Sequence, residues 1–321
     1  MNLENKLDCF NPGKEWYDTD GKIIQAHGGG ILYHKGIYYW YGEDKNGDTI
    51  SGDEVVCGYR VNVIGIHCYS STDLYNWKDE GLVLSSDRSD IDHELHTSRV
   101  VERPKVIYNE KTEKFVMWMH IDKQDYGYAQ SGRAESDSPA GPFKYKGSIK
   151  PNENDCRDMT LFKDEDGRAY LIHSSEWNKT LYFSELTEDY MNVTGKYKRA
   201  FIDCSREAPA VFKFEGKYYI ISSGCTGWDP NVAEYAVSDS IMGEWEVKGN
   251  PCVGEDSDKT YYAQSTFVIK VEGKENVFIA MFDQWKKENL RDSPYVWLPI
   301  QITNGSIKIE WLGSWDLSVF N

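Results

Sequence analysis

Short apolar runs alternate with polar turns along this chain, and the runs come in pairs that recur five times. Each pair opens on a polar or charged residue, crosses a short apolar segment, turns at Gly, Asp or Lys, and returns through a segment heavy in aromatics. The openings are His27-Gly-Gly-Gly-Ile-Leu-Tyr, Glu102-Arg-Pro-Lys-Val-Ile-Tyr, Asp158-Met-Thr-Leu-Phe, Glu207-Ala-Pro-Ala-Val-Phe and Gln264-Ser-Thr-Phe-Val-Ile. The returns are Ile37-Tyr-Tyr-Trp-Tyr, Phe115-Val-Met-Trp-Met, Ala169-Tyr-Leu-Ile-His, Tyr218-Tyr-Ile-Ile-Ser and Val277-Phe-Ile-Ala-Met-Phe. Runs of this composition between turn formers are strands. Strand pairs recurring at roughly 50–75 residues, with little helical periodicity, predict an all-β fold, a five-bladed β-propeller.

The blades are placed near 26–85, 100–151, 156–203, 206–252 and 261–320, within one domain spanning 1–321. Their outer halves repeat as well. Ala134-Glu-Ser-Asp-Ser-Pro-Ala-Gly matches Ala236-Val-Ser-Asp-Ser-Ile-Met-Gly without a gap, and Ser71-Thr-Asp-Leu-Tyr-Asn-Trp is a weaker copy. Asp and Ser start such turns through local backbone hydrogen bonds, so these residues are architectural. Trp16-Tyr-Asp-Thr-Asp-Gly reads as a turn before the first blade. Glu43–Tyr59 and Asp87–Ser98 read as long loops shaping the mouth of an axial pocket.

In a propeller the innermost strand of each blade starts at the central axis. The residues that lead those strands therefore converge: Glu102, Asp158, Glu207 and Gln264, with Gln25-Ala-His27 completing the ring. Each alone could cap a neighbouring backbone. Three carboxyls aimed at one axis repel one another, a cost that points to chemistry. Paired carboxyls are what glycosidic hydrolysis needs, one to protonate the leaving oxygen and one to act on the opposite face.

Composition narrows the classes. A net charge of −16 leaves no basic stripe for nucleic acid and disfavours anionic membranes and polyanions. The 22 Tyr and 11 Trp suit inter-blade packing first and sugar stacking second. Seven cysteines without a CxxC pair read as buried free thiols in a reducing compartment. Neither a metal nor another cofactor is expected, and His27 alone does not make a metal site. The first residues lack a basic and an apolar signal region, so the expectation is cytoplasmic, or secreted if an export signal has been removed.

The five-blade layout and axial acids resemble glycoside hydrolase family 43 over nearly the whole chain. Ala26-His-Gly-Gly-Gly-Ile-Leu followed by Tyr38-Tyr-Trp-Tyr-Gly-Glu43 is similar to its exo-β-1,3-galactanase branch. The same HGGG string lines lipase oxyanion loops, but no Gly-x-Ser-x-Gly elbow accompanies it. The resemblance implies Glu207 as general acid, Asp158 as the residue that tunes it, and Gln264 in the place of the missing first-blade Asp as general base. Glu102 is the chemically conservative alternative base and is otherwise read as binding sugar. Trp228 is the expected stacking platform, and Arg103, Tyr126, Thr226 and Glu43 resemble positions lining the terminal-sugar pocket.

An inverting pair stands about 6.5–9.5 Å apart, so Glu207 and Gln264 are expected to face each other across the sugar. The implied substrate is a β-1,3-linked galactan or galacto-oligosaccharide. Another family 43 activity (α-L-arabinofuranosidase or β-xylosidase) and a non-catalytic carbohydrate-binding propeller are the alternatives.

Overall fold

The computed structural model describes residues 6–52 and 58–321. Among them, five antiparallel sheets stand around one axis. Blade one contains His27–His34, Ile37–Glu43, Gly65–Ser71 and Lys78–Ser85. Blade two contains Val100–Asn109, Lys114–Asp122, Gln130–Ser136 and Lys144–Ile149. Blade three contains Met159–Lys163, Ala169–Ser175, Thr180–Leu186 and Val193–Ala200. Blade four contains Arg206–Phe214, Lys217–Gly224, Glu234–Ser238 and Glu246–Gly249. Blade five contains Gln264–Lys270, Phe278–Asp283, Tyr295–Thr303 and Ser306–Glu310. The repeat read from the sequence is the propeller. It differs at one edge: Cys252, placed there at the end of blade four, opens the strand Cys252–Val253, which pairs in parallel with Ser306–Glu310 on the rim of blade five.

Burial follows position in the blade. The second strand Ala169–Ser175 is buried at every residue, because sheets cover both of its faces. The outer strand Val193–Ala200 is largely exposed, and Lys196, Lys198 and Arg199 guard its free edge against pairing with another chain. Five apolar clusters fill the gaps between successive blades, such as Trp118 with Leu161 between blades two and three.

The gap between blades one and five is closed by the N-terminal segment. Phe10 bridges to Trp315 as an isolated antiparallel pair, and its ring lies 4.4 Å from that of Trp315 and 4.6 Å from Tyr75. Trp16 meets Trp297 edge-on at 4.9 Å. The expected turn follows it, with the Asp18 N–H donating to Lys22.

Two other expectations change. The stretch read as a loop from Glu43 to Tyr59 contains half of a small hairpin, Thr49–Ser51 paired with Tyr59–Val61, while 53–57, and with them Cys57, lie outside the described residues. Of the six described cysteines, all free, Cys68, Cys156 and Cys252 are buried but Cys204 and Cys225 are exposed.

Four inner strands share a device at their axial ends. Each carries a bulge, between His27 and Gly30, Glu102 and Lys105, Glu207 and Ala210, and Ser265 and Phe267. In the first three the residue after the axial one is left-handed: Gly28 at φ +60°, Arg103 at +55° and Ala208 at +52°. Such a bulge bends the strand and re-aims the side chain before it. It also turns that residue's N–H out of the ladder. The Gly28 N–H donates to Asp283 at 2.5 Å, Arg103 to Glu43 at 3.0 Å, and Ala208 to Asp158 at 3.1 Å, each time a carboxylate from the preceding blade. Pro104 and Pro209 fit here because a bulge asks no donor of them.

Phe10 is 2% exposed at the closing seam. Phe10→Ala is expected to cost about 3–5 kcal/mol, the usual loss for a buried ring. Chemical denaturation measures it, and a midpoint equal to that of the parent would mean the segment does not close the ring.

Candidate active site

Antiparallel pairing sets the start of each inner strand level with the end of the second. His27 lies across from Glu43, Glu102 from His120, Glu207 from Ser223 and Gln264 from Asp283. Every blade thus sends two lines of side chains to one end: an axial residue, and the loop after its second strand. Those loops carry Lys45, Tyr126, Trp177 with Asn178, Trp228, and Trp285. They wall a cavity of about 260 Å³ whose floor holds Glu43, Glu102, Arg103, Asp158, Glu207 and Gln264.

Arg103 organises that floor. Its guanidinium donates to the Ser265 carbonyl at 3.0 Å and to Gln264 Oε1 at 2.5 Å, and pairs with Asp158 Oδ2 at 2.9 Å. Gln264 is fully engaged. Its Oε1 also accepts from the Trp285 indole at 3.0 Å, and its Nε2 donates to Glu207 Oε1 at 2.9 Å and Ser223 Oγ at 3.0 Å. Glu207 Oε2 lies 3.0 Å from the Asn178 amide. Burial, then the charge of Asp158, pushes the Glu207 carboxyl up to about 8, although Arg103 pulls the other way. A carboxyl so placed still carries a proton at neutral pH and can donate it.

Glu102 has the opposite environment. Burial disfavours its charge, but His120 at 3.3 Å, Lys45 and the Tyr126 hydroxyl at 2.9 Å outweigh it and bring the carboxyl down to about 2. His120 in turn is disfavoured as a cation by burial and held charged, up to about 9, by Asp122 at 2.9 Å and by Glu102. Glu102 is therefore a fixed anion and Glu207 a held acid. Glu43 is buried beside them, which raises its carboxyl, and Lys45 pairs with it at 2.6 Å. Glu102, His120 and Asp158 bring ligand atoms within 4.8 Å of one another. Both ring nitrogens of His120 already face carboxylates, Nδ1 that of Glu102 and Nε2 that of Asp122.

A family model, glycosyl hydrolases family 43, matches residues 31–282. The chain belongs to this family. A family 43 β-1,3-galactosidase solved with galactodeoxynojirimycin is 43% identical and superposes with a TM-score of 0.88, covering 96% of this chain and 100% of that one. An exo-β-1,3-galactanase from Phanerochaete chrysosporium, solved with galactose, is 34% identical with a TM-score of 0.87, over 96% of this chain and 68% of that one. A third, an exo-β-1,3-galactanase from Clostridium thermocellum, is 36% identical with a TM-score of 0.83, over 95% and 66%. No curated protein sequence matches.

In this family 43 chain the structure brings the axial residues Glu207, Gln264, Asp158 and Glu102, which the repeat pointed to one axis, to one cavity with Arg103, Tyr126, Trp228 and Glu43. Thr226 does not join them. Its hydroxyl donates to the Asp229 carbonyl at 2.6 Å and accepts from Asn231, fastening the loop that presents Trp228. Glu207 and Gln264 do not stand apart across a gap but touch, because the inner strands of blades four and five are neighbours at the axis. His27 lies outside the cavity, its ring buried against Tyr295 at 5.1 Å and its Nε2 on the Ser293 carbonyl.

The sequence reading missed Lys45, His120, Trp177, Asn178 and Trp285. The signal was present: four of them follow the end of a second strand, as Trp228 and Tyr126 do, while His120 lies within one.

The ionisation of Glu207 is directly testable. In the protein labelled with carboxyl-13C glutamate, its resonance is expected to titrate near 8, against the ordinary 4.5. Asp158→Asn removes a like charge and is expected to lower that midpoint, leaving the larger contribution of burial in place. A Glu207 that titrates as an ordinary glutamate would break this account of the site.

Proposed function

We propose that this protein is an inverting, exo-acting β-1,3-galactanase that releases galactose from the non-reducing end of a β-1,3-galactan. The observation that carries it is the buried Glu207, kept protonated by burial and Asp158 at the foot of a cavity walled by three tryptophans. The similar galactosidase and galactanase chains supply the substrate class.

Action at chain ends is supported by the small hairpin of blade one. The Tyr59 carbonyl accepts the Trp228 indole N–H at 3.2 Å, and Thr49 Oγ1 accepts the Leu290 N–H at 3.0 Å. These contacts fasten the hairpin to the loops of blades four and five and brace Trp228 in the cavity wall, in keeping with a pocket that takes a terminal sugar while the polymer remains outside.

In this mechanism Glu207 gives its proton to the glycosidic oxygen as the bond to the terminal galactose breaks. Asp158, held by Arg103 and the Ala208 N–H, keeps Glu207 protonated until then. Water adds from the opposite face, so galactose leaves as the α-anomer. Gln264 is the proposed acceptor of the water's proton. An amide nitrogen has no free lone pair and accepts only in the imidic form, one of its protons having passed to Oε1, and Arg103 and Trp285 fix the position of that oxygen. Glu102, ionised and fixed, anchors sugar hydroxyls together with Tyr126 and Lys45.

Glu207→Gln is expected to lower kcat/KM on unactivated galactan by about 10²–10⁴-fold, the usual contribution of a general acid. Early proton NMR of the parent reaction should show α-galactose first. β-Galactose accumulating first, or release of xylose or arabinose in place of galactose in parallel assays, would overturn the reading. The activity should fall on the alkaline side as Glu207 loses its proton near 8, since only the protonated form donates.

Gln264→Ala is expected to abolish turnover while galactose still binds, as seen by calorimetry. Restoration of an inactive Glu102→Gln variant by azide would move the water-activating role to Glu102.

A further inference from the structure

Trp177 stands apart from the other aromatics of the cavity. Its ring is 68% exposed although it forms part of the wall, and the Arg157 guanidinium lies 4.2 Å from its centroid. One face is thus covered by a cation and the other is open at the mouth.

The loop that presents it is built at a cost. Glu176, Trp177 and Asn178 are all left-handed, at φ +54°, +57° and +62°, a conformation disfavoured by roughly 1 kcal/mol or more per residue outside glycine. Polar groups, Asp155 half-buried and Arg157 buried, hold it there. Asp155 accepts from Ser175 Oγ at 2.7 Å, from the Glu176 N–H at 2.8 Å and from the Trp177 N–H at 3.2 Å, and it pairs with Arg157. Arg157 donates onward to the Tyr126 carbonyl at 3.0 Å. The Glu176 side chain is held by the Thr180 and Tyr182 hydroxyls at 2.6 and 2.8 Å. Backbone strain over-determined in this way clusters at active sites and ligand clamps.

The position of the loop identifies what it clamps. Asn178, the next residue, contacts Glu207 Oε2, so Trp177 lies beside the carboxyl that meets the glycosidic oxygen. Trp228 and Trp285 pack edge-on to each other at 5.3 Å, with Lys45 near both rings, on the blade-four and blade-five side. We propose that Trp177, backed by Arg157, is the stacking platform for the galactose on the leaving side of the cleaved bond. The axial O4 of galactose leaves the C–H groups of C3, C4 and C5 on one face, an apolar patch that fits a tryptophan ring. The guanidinium behind the ring fixes its orientation. This assignment rests on the galactanase reading and extends it from the terminal sugar to the second one.

The test compares two substrates of the purified protein. β-1,3-Galactobiose places a sugar on the leaving side, and β-galactosyl fluoride places none. In Trp177→Ala the ratio of kcat/KM for galactobiose to that for the fluoride is expected to fall about tenfold, a loss typical of truncating an aromatic anchor and carried by KM. Trp177→Phe should recover most of it. An unchanged ratio in Trp177→Ala, or no recovery with Phe, would overturn the assignment. A parent protein that hydrolyses another glycoside but neither galactosyl substrate would overturn the galactanase reading and this assignment with it.

Discussion

A backbone N–H turned out of a strand must find an acceptor, and the centre of this molecule is built around three that do. Gly28, Arg103 and Ala208 each donate to a carboxylate of the preceding blade. An unpaired donor buried there would cost about 1–3 kcal/mol, and an unpaired buried carboxylate more. Each therefore makes the other tolerable. The same contact joins adjacent blades at the axis and, in blades two and four, accompanies the bend that turns Glu102 and Glu207 toward the cavity. Gly28 shows how tight the fit is, since a Cβ there would collide with the Glu43 carboxylate.

That arrangement divides similar carboxyls into different roles. Glu102 and Glu207 occupy equivalent places in blades two and four, each before a left-handed residue and a proline. Glu102 faces His120 and Lys45 and stays ionised; Glu207 faces Asp158 and two neutral amides, Gln264 and Asn178, and keeps its proton. Arg103 stands between them. Because it comes from a bulge in one blade and reaches Ser265 of another, its charge is shared by Asp158 and Gln264 without neutralising Glu207 outright. Environment, set by which blade lies next door, decides the chemistry.

The axial line of residues was legible in the sequence because each opens a strand whose apolar run is unmistakable. The wall line was not, because it lies in loops, and loops carry no period of their own. Lys45, Trp177 and Trp285 follow their second strands by two residues or fewer, yet only the strand pairing shows that this places them beside the axial groups. Thr226 was misplaced for the same reason: two residues from Trp228, it faces its own loop. His120 was hidden inside a strand, where alternation marks a face but not a partner. The contact between Gln264 and Glu207 depends on how closely neighbouring inner strands approach, a tertiary quantity that spacing along the chain does not encode.

Loops at a propeller mouth are ordinarily the mobile part of the fold. Here the segments flanking the cavity are fixed by hydrogen-bonded polar groups, Thr260 buried and Asp155 half-buried. Thr260, Tyr261 and Tyr262 form a second left-handed run just before Gln264, matching the one at Glu176 to Asn178. Thr260 Oγ1 accepts the Ala233 N–H at 2.7 Å and donates to the Asn231 carbonyl at 2.8 Å, as Asp155 gathers the other loop. One run leads into the amide that touches Glu207 Oε1, and the other ends at the amide that touches Oε2. A proton donor works only while its oxygen stays in line with the bond it serves, and small displacements cost rate steeply. Two strained turns, each over-determined by hydrogen bonds, hold the acid from both sides, so strain at the mouth is converted into position at the floor.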